Sequence, residues 1–357
     1  MHLLQLDQLR LRDPGTGLRL VVQLRLQLGE LLAHLHPDLP LSRGTWRPAL
    51  GLVATLMVAA AAAAQSATAD EALRARLEAF QPHQLGVDRD GHLWVFSPRR
   101  ARAVLWDDGG TRLLDVVVPD AQSVDVEAAW GVVALSPQGT EVTVLKPDGT
   151  TKAELSLPAA AASVAWIDGS TVAIGSTTLA HRVEVWDVAA ARRLRGVDEV
   201  GALPAEPGAQ AARSTAIAYR SGRGFILLDR FSGRLELRDP AGGPLHEALA
   251  NDPRREEFDI YLAERDAQAR LEGRVERFPF KRFWLGVEPS GAAWTVESRD
   301  PDGRLHLLRL GVEGNVRRVS VVAACASGFF TVWKERMIFC QHPAVTPEPC
   351  CSLVEVP

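Results

Sequence analysis

Short runs of alternating apolar and polar residues, separated by turn-forming residues, occupy the chain from about residue 75 onward. Residues 85–119 read LGVDRDGHLWVFSPRRARAVLWDDGGTRLLDVVVP, and residues 124–158 repeat this order of strands and turns. Four further copies cover residues 163–187, 214–239, 283–310 and 328–357. Valine, leucine and tryptophan at every second position are typical of half-buried strands, and Gly- and Asp-containing turns separate them. The pattern predicts an all-β fold of short antiparallel strands.

The spacing of the copies predicts a ring of six blades. Four short strands recurring every 40–50 residues are typical of a β-propeller blade, and the copies average about 44 residues when the insertion 251–281 is set aside. Seven blades is the nearest alternative. The sixth copy contains only three strands, and the segment Arg76–Pro82 resembles the outer strands of other copies. We therefore expect this N-terminal segment to complete the last blade as its fourth strand.

Two turn sequences carry a resemblance to a known family. Val87–Val95 reads VDRDGHLWV and Val287–Trp294 reads VEPSGAAW. This pattern resembles the turn between the first two strands of a blade in secreted bacterial six-bladed β-propellers, related to the NHL and lactonase-like propellers. The resemblance covers about residues 75–357 and implies the fold. It does not assign a function, because propellers include both enzymes and binding scaffolds.

Lactonase-like members hold a divalent metal in the central channel with Glu, Asn and Asp side chains. This chain has only two asparagines, Asn251 and Asn315, and neither lies in a predicted inner strand. The carboxylates expected near the channel are those of Asp125, Glu127 and Glu288. A hard cation needs several converging oxygen ligands, so the departure from the family pattern counts against a metal enzyme.

The first seventy residues are interpreted as mostly outside the fold. An uncharged apolar stretch, Pro48–Ala64, follows Arg43 and Arg47, and small residues follow it. This order is typical of a secretory signal, here residues 47–69, with a membrane anchor over residues 48–64 as the alternative. Residues 1–46 then form a leader upstream of the true start, which leaves residues 70–357 as the propeller.

Charge and composition exclude some partners. The 357 residues have a formal net charge of −4, with 24% charged residues. Arginine outnumbers lysine by 36 to 4, which we attribute to the composition of the genome. A chain of this charge is not a basic nucleic-acid binder. We expect contact with a membrane only through an uncleaved signal segment, and a monomeric protein.

No catalytic motif stands out. The chain lacks G-x-S-x-G, H-E-x-x-H and P-loop sequences. The Asp88–Gly91 loop resembles the start of a calcium loop, but its Gly follows at once and no terminal Glu closes it. We interpret it as a structural turn. The sequence therefore leans against an enzyme and predicts no catalytic residue, no metal and no cofactor.

All four cysteines lie in the last blade, in or just before the sixth copy. They are Cys325, Cys340, Cys350 and Cys351. In an exported protein they predict disulfides, with three connectivities open. Cys340 is expected to face Cys350 or Cys351 across two strands, which leaves the other for Cys325. A zinc site is the weaker alternative, since no Cys-x-x-Cys pair is present.

Loop lengths predict which face binds. The turns on one face of the ring are all short, whereas the opposite face carries the long loops 201–213, 251–281, 297–303 and 341–349, of which 251–281 includes a predicted helix. This long-loop face is expected to carry the cationic residues Arg99, Arg100, Arg102, His181, Arg230 and His342. The sequence thus predicts an extracytoplasmic, non-catalytic binding or scaffold module for a small anionic ligand or a protein partner. The alternative is a metal-dependent, lactonase-like hydrolase with its site at the central channel.

Overall fold

A computed structural model describes residues 69–176, 181–199, 214–230, 232–250, 283–300, 304–325, 328–341 and 350–356. The predicted leader 1–46, residues 47–68 of the signal segment and the helical insertion 251–281 lie outside these ranges, as does His342. The chain divides into two compact units, Met1–Ala72 and Leu73–Pro357. Of the first unit only residues 69–72, the start of a helix, are described, and the following account concerns the second.

The strands form six separate antiparallel sheets within the described residues. The first three sheets contain β1 (Gln84–Val87), β2 (Leu93–Ser97), β3 (Arg102–Trp106) and β4 (Arg112–Val117); β5 (Ser123–Glu127), β6 (Gly131–Leu135), β7 (Glu141–Leu145) and β8 (Thr151–Ser156); and β9 (Ala161–Asp168), β10 (Thr171–Ser176), β11 (His181–Asp187) and β12 (Arg192–Glu199). The last three contain β13 (Thr215–Arg220), β14 (Gly224–Asp229), β15 (Arg234–Arg238) and β16 (Pro244–Leu249); β17 (Leu285–Val287), β18 (Ala293–Arg299), β19 (Arg304–Leu310) and β20 (Val316–Val322); and β21 (Gly328–Trp333), β22 (Arg336–Gln341) and β23 (Cys351–Glu355).

The sheets are the six blades of a β-propeller, which confirms the predicted fold over the seven-bladed alternative. Each sheet begins at an inner strand, and each inner strand contacts the inner strand of the next sheet. β21 of blade six contacts β1 of blade one and closes the ring. The Trp333 indole N–H also donates a hydrogen bond to the Gly91 carbonyl, 3.0 Å away, across this junction. Gly91 has a φ of 85°, a conformation that favours glycine at this turn.

The last blade is not completed by an N-terminal strand, so that part of the prediction was wrong. Blade six has three strands in the described part of the chain, and residues 69–80 form a helix, α1. Leu73, Leu77 and Phe80 recur at the spacing of one helix face, and the segment is rich in helix-forming Ala, Leu, Arg and Glu. Alternation in the short run Arg76–Pro82 suggested a strand only because the window was too short to separate the two periods.

Helix α1 covers the gap between the last and first blades. Leu73 and Leu77 pack in one core cluster with Trp106 of blade one and with Trp333 of blade six. The Cys351 backbone N–H, at the start of β23, donates a hydrogen bond to a Glu78 carboxylate oxygen 3.3 Å away. The helix therefore shields the edge of the last blade, a role that we had expected a strand to fill.

Two disulfides staple blade six, as the sequence predicted. Cys325 is bonded to Cys350, and Cys340 to Cys351, which resolves the three connectivities. Cys340 and Cys351 lie directly opposite each other in the register of β22 and β23. Paired disulfides indicate an oxidising, extracytoplasmic environment. Among the described residues, no helix is long and apolar enough to span a membrane.

Candidate functional site

The six inner strands enclose a cavity on the propeller axis. Its volume is about 120 Å³, and every inner strand contributes to its wall. Small residues line this space on several of the inner strands. One wall residue from each inner strand, in chain order, is Gly86, Ser123, Ser163, Ala216, Leu285 and Thr331.

Arg220 forms one end of the cavity. It is the last residue of β13, on the short-turn side of the ring, and only 8% of it is exposed. Its guanidinium donates hydrogen bonds to the Val87 carbonyl at 3.1 Å and to the Glu288 carbonyl at 3.4 Å. A third bond reaches the Tyr219 carbonyl at 3.3 Å. Arg220 therefore ties blade four to blades one and five across the short-turn end of the channel.

Asp125 contributes a carboxyl to the cavity wall from the middle of β5. One oxygen accepts a hydrogen bond from the Trp166 backbone N–H at 2.8 Å, and the other accepts from the Val126 N–H at 3.0 Å. Burial raises the pKa of Asp125 to about 6, although these hydrogen bonds and the charges of Arg220 and Arg89 act in the opposite direction. The same carboxyl also links blade two to blade three.

Glu127 lies two residues further along β5, with only 4% of it exposed. Its Oε2 accepts hydrogen bonds from Arg89 Nε at 3.1 Å and from the Arg89 backbone N–H at 3.3 Å. The Arg89 guanidinium also lies over the Trp130 ring, 3.4 Å from its centroid. Burial and the neighbouring Asp125 raise the pKa of Glu127 to about 7. Glu127 and Arg220 are buried, Asp125 and Arg89 are partly buried, and the four form one charge cluster.

The raised pKa of Glu127 predicts a pH-dependent stability. Between the ordinary pKa of 4.5 and the folded value of about 7, the native state binds more protons than the unfolded state. The free energy of unfolding therefore falls as pH rises through this window, by about 3 kcal/mol from this group. Urea denaturation of wild type and Glu127→Gln at pH 5, 6, 7 and 8 measures the effect.

Glu127→Gln should remove most of this pH dependence, because the amide has no proton to lose. Glu141→Gln is the matched control, since Glu141 begins β7 with an exposed side chain. Its unfolding profile should follow that of wild type. Parallel profiles for wild type and Glu127→Gln would contradict a raised pKa at Glu127.

Glu288, the third expected channel carboxylate, does not join the cluster. Its side chain accepts hydrogen bonds from Arg309 at 2.8 and 3.0 Å, from Trp294 at 2.7 Å and from Ser290 at 2.7 Å. Burial alone would raise its pKa, yet these bonds hold the pKa below its ordinary value. Only the backbone carbonyl of Glu288 reaches Arg220.

The charge cluster does not fit a divalent metal of the lactonase-like kind. Asp125 is the one carboxylate among the residues that the structure places on the cavity wall, and Arg220 lies on the same wall. A guanidinium there opposes a cation, and one carboxylate falls short of the oxygen ligands that such ions need. We therefore derive no catalytic step through a channel metal.

Asp88, Asp90 and His92 lie close together at the β1–β2 turn, with potential ligand atoms within 4.8 Å. Asp88 accepts hydrogen bonds from the backbone N–H groups of Asp90 and His92, at 3.0 and 2.8 Å. Its second oxygen lies 3.0 Å from His92 Nδ1. These contacts are those of an Asx-type turn, as the sequence interpretation expected.

Three of the predicted cationic residues engage their own chain. Arg99 and Arg100 lie in a short 3₁₀ helix, Pro98–Arg100, between β2 and β3. Arg99 donates to the Gln81 side-chain oxygen at 3.3 Å, and Arg100 donates to the Ala79 carbonyl at the end of α1. Arg102 pairs with Asp115 at 2.7 Å. They lie on the long-loop side, but part of their bonding capacity is already used.

Of the other predicted residues, Arg230 is the one that reaches the channel. It follows β14 on the long-loop side, lines the cavity, and lies 6.0 Å from the Trp284 ring centroid. His181 begins β11 opposite Glu199 of β12 and does not line the cavity. His342 lies outside the described residues.

Sequence reasoning missed Arg220, although a signal was present. The carbonyls of Asp88, Glu127, Arg220 and Glu288 each accept a hydrogen bond from the N–H three residues on, so these residues share one turn position. That position is acidic in blades one, two and five and basic in blade four. Aligning the copies on this turn would have identified Arg220 as the exception.

Comparison with known proteins gives neither a family nor a function. No family model matches the chain, and no curated protein matches it. A streptogramin B lyase structure is 10% identical, with 77% of this chain and 94% of that chain covered and a TM-score of 0.46. Virginiamycin B lyase from Staphylococcus aureus is 10% identical (76% and 79% covered, TM-score 0.44), and BamB from Moraxella catarrhalis is 12% identical (75% and 83% covered, TM-score 0.39). We draw no functional conclusion from similarity at this level, and the resemblance to NHL and lactonase-like propellers stays a prediction.

Proposed function

We propose that this propeller is a non-catalytic binding module of an extracytoplasmic compartment, which takes a small anionic ligand or an acidic protein segment on its long-loop face. The observation that carries the proposal is the position of the Arg220 guanidinium. The inner strands run from the long-loop side to the short-turn side, and Arg220 bridges blades one and five at the short-turn end. A ligand that reaches the cavity therefore enters from the long-loop side, past Arg230 and Trp284.

The channel chemistry favours binding over catalysis. Catalysis needs an acid, base or nucleophile that the substrate can reach and that is not held by structural hydrogen bonds. Asp125 and Glu127 instead bind the backbone of Trp166 and the guanidinium of Arg89. Their charges are matched by Arg220 and Arg89, so the cluster holds the blades together.

Two independent features support an extracytoplasmic location, the disulfides and the apolar stretch near the N-terminus. The disulfides of blade six need an oxidising environment. The apolar stretch Pro48–Ala64 behind two arginines supports export through a signal peptide. N-terminal sequencing of the mature protein, with a new terminus between residues 64 and 70, is the result that this proposal requires.

A charge-removal experiment tests the long-loop face. The variant Arg99→Ser/Arg100→Ser/Arg102→Ser should weaken binding of a fluorescent deca-glutamate peptide by about tenfold at low salt, because three cations are lost from one face. Fluorescence anisotropy in 50 and 200 mM NaCl measures the dissociation constant. Thermal unfolding of the variant checks that the fold is intact, since Arg99 and Arg100 contact residues at the end of α1.

The matched control removes three exposed arginines from the short-turn side, Arg192, Arg223 and Arg317. This triple serine variant has the same net charge as the first and should bind within twofold of wild type. Equal weakening in both triples would reject the long-loop face. Metal analysis of the same purified protein is the second arm, and one divalent ion per chain would reverse the ranking in favour of the hydrolase alternative.

A further inference from the structure

We propose that the axial cavity is a binding site for one small carboxylate-type monoanion, such as acetate, and that Asp125 takes up a proton when the anion binds. This deepens the proposed function, because it names the ligand class and the place where it is held. The anion site depends on the proposed function in one respect, because the anion must enter the cavity from the long-loop side.

Two polar side chains of the cavity wall, Asp125 and Gln84, are already bonded to the backbone. Both Asp125 oxygens already accept backbone hydrogen bonds. The Gln84 amide is also engaged, since its oxygen accepts from the Val124 N–H at 2.8 Å and its nitrogen donates to the Gln122 carbonyl. A ligand in this space therefore finds the acceptor atoms of Asp125 and Gln84 already in use.

The unmatched groups on the same wall are donors. Thr331 is 1% exposed and Trp94 is 7% exposed, and both line the cavity. The Thr331 hydroxyl and the Trp94 indole N–H have no hydrogen-bond partner. Buried polar groups without a partner are rare in folded proteins and call for a bound polar atom. With the guanidinium of Arg220 on the same wall, these donors favour a ligand that supplies acceptors and negative charge.

The cavity is large enough for a small ligand. Its volume of about 120 Å³ exceeds the space that a single bound water needs, about 10–15 Å³. Formate, acetate and nitrate are small enough to enter it. The aromatic side chains of Trp94, Trp284 and Phe330 make part of the wall apolar, which suits the methyl group of acetate.

The charges around Asp125 couple anion binding to a proton. Arg220 of β13 and Arg89 of the β1–β2 turn face Asp125 as cations, while Glu127 of β5, with Asp88 behind it, adds negative charge. An incoming anion beside an ionised Asp125 would be repelled, so binding favours the protonated carboxyl. Because the pKa of Asp125 is already raised to about 6, this protonation is accessible near neutral pH.

Isothermal titration of the intact exported protein with sodium acetate tests the proposal. At constant ionic strength, wild-type affinity should rise by about tenfold from pH 7.5 to pH 6.5, as one proton is taken up above the pKa. Titration in two buffers of different ionisation enthalpy counts that proton directly. Asp125→Asn should still bind acetate, but with less proton uptake and a weaker pH dependence, because only Glu127 of the two carboxyls can then be protonated.

A matched pair of threonine variants tests the location. Thr331→Val should weaken acetate binding by about fivefold or more, because a donor on the cavity wall is lost. Thr295 is the control, since it is also buried and without a hydrogen-bond partner but does not line the cavity. Thr295→Val should leave the affinity unchanged. Equal effects of the two substitutions would place the anion elsewhere and overturn the proposal.

The outcomes separate this inference from the proposed function. The cavity site is supported if wild type binds acetate saturably with proton uptake and Asp125→Asn binds acetate with less proton uptake. If wild type binds the deca-glutamate peptide but shows no saturable heat with acetate, formate or nitrate at pH 5.5, the cavity site falls and the long-loop proposal stands. Failure of both ligands rejects both.

Discussion

Replacing Arg220 with methionine is expected to lower the free energy of unfolding by about 3–5 kcal/mol at pH 7.5, the cost of leaving buried charges without their partner. The methionine fills similar space but donates nothing to the Val87 and Glu288 carbonyls. It also removes the cation that faces Asp125 and Glu127. Urea denaturation, followed by tryptophan fluorescence, measures the loss.

Two comparisons separate charge from packing in this prediction. Arg317→Met, at an exposed position of β20, should change stability by less than about 0.5 kcal/mol. The loss in Arg220→Met should shrink at pH 5, because Asp125 and Glu127 are then protonated and need no counter-ion. An Arg220→Met protein as stable as Arg317→Met would mean that Arg220 does not hold the blades together.

Removing either disulfide on its own is expected to have the second-largest effect. The chain-entropy model gives about 3 kcal/mol for the loop between Cys340 and Cys351 and about 3.5 kcal/mol for that between Cys325 and Cys350. The sequence separations that enter the model are 11 and 25 residues. Thermal unfolding with and without a reductant, and of the paired alanine variants, measures both contributions.

The pairing itself is checked by counting thiols. Cys325→Ala/Cys350→Ala and Cys340→Ala/Cys351→Ala each remove one complete bond, so unfolded protein should show no free thiol. The mismatched variant Cys325→Ala/Cys351→Ala leaves Cys340 and Cys350 and should show two. Two thiols in a matched variant would contradict the connectivity.

The repeat pattern was sufficient to predict the blades because each strand and turn depends on residues that are close together in the sequence. Apolar side chains alternate in residues 85–119 and 124–158 because successive residues of a strand lie on opposite faces of the sheet, and each face packs against a neighbouring blade. The Gly91 turn is equally local, since its positive φ depends on the residue itself. The cysteines followed the same logic, because β22 and β23 are adjacent and place Cys340 opposite Cys351.

The candidate site was predicted only in part. Asp125 and Glu127 were expected near the channel, and the structure brings them together. Glu288 was expected with them, but its carboxylate pairs with Arg309 instead and does not join the cluster. Arg230 reaches the cavity, whereas Arg99 and Arg100 bind the end of α1, which the sequence pattern had read as a strand.

The sequence by itself determined the blade repeat and the clustering of the cysteines, and it favoured six blades over seven, because each depends on residues that are close in the chain. Only the tertiary structure decided that a helix covers the last blade and that Arg220 reaches Val87, 133 residues away. It also decided that Asp125 and Glu127 share a charge cluster with two arginines. A ring brings together positions that are distant in sequence, and the burial that raises a carboxyl pKa exists only after the ring has closed.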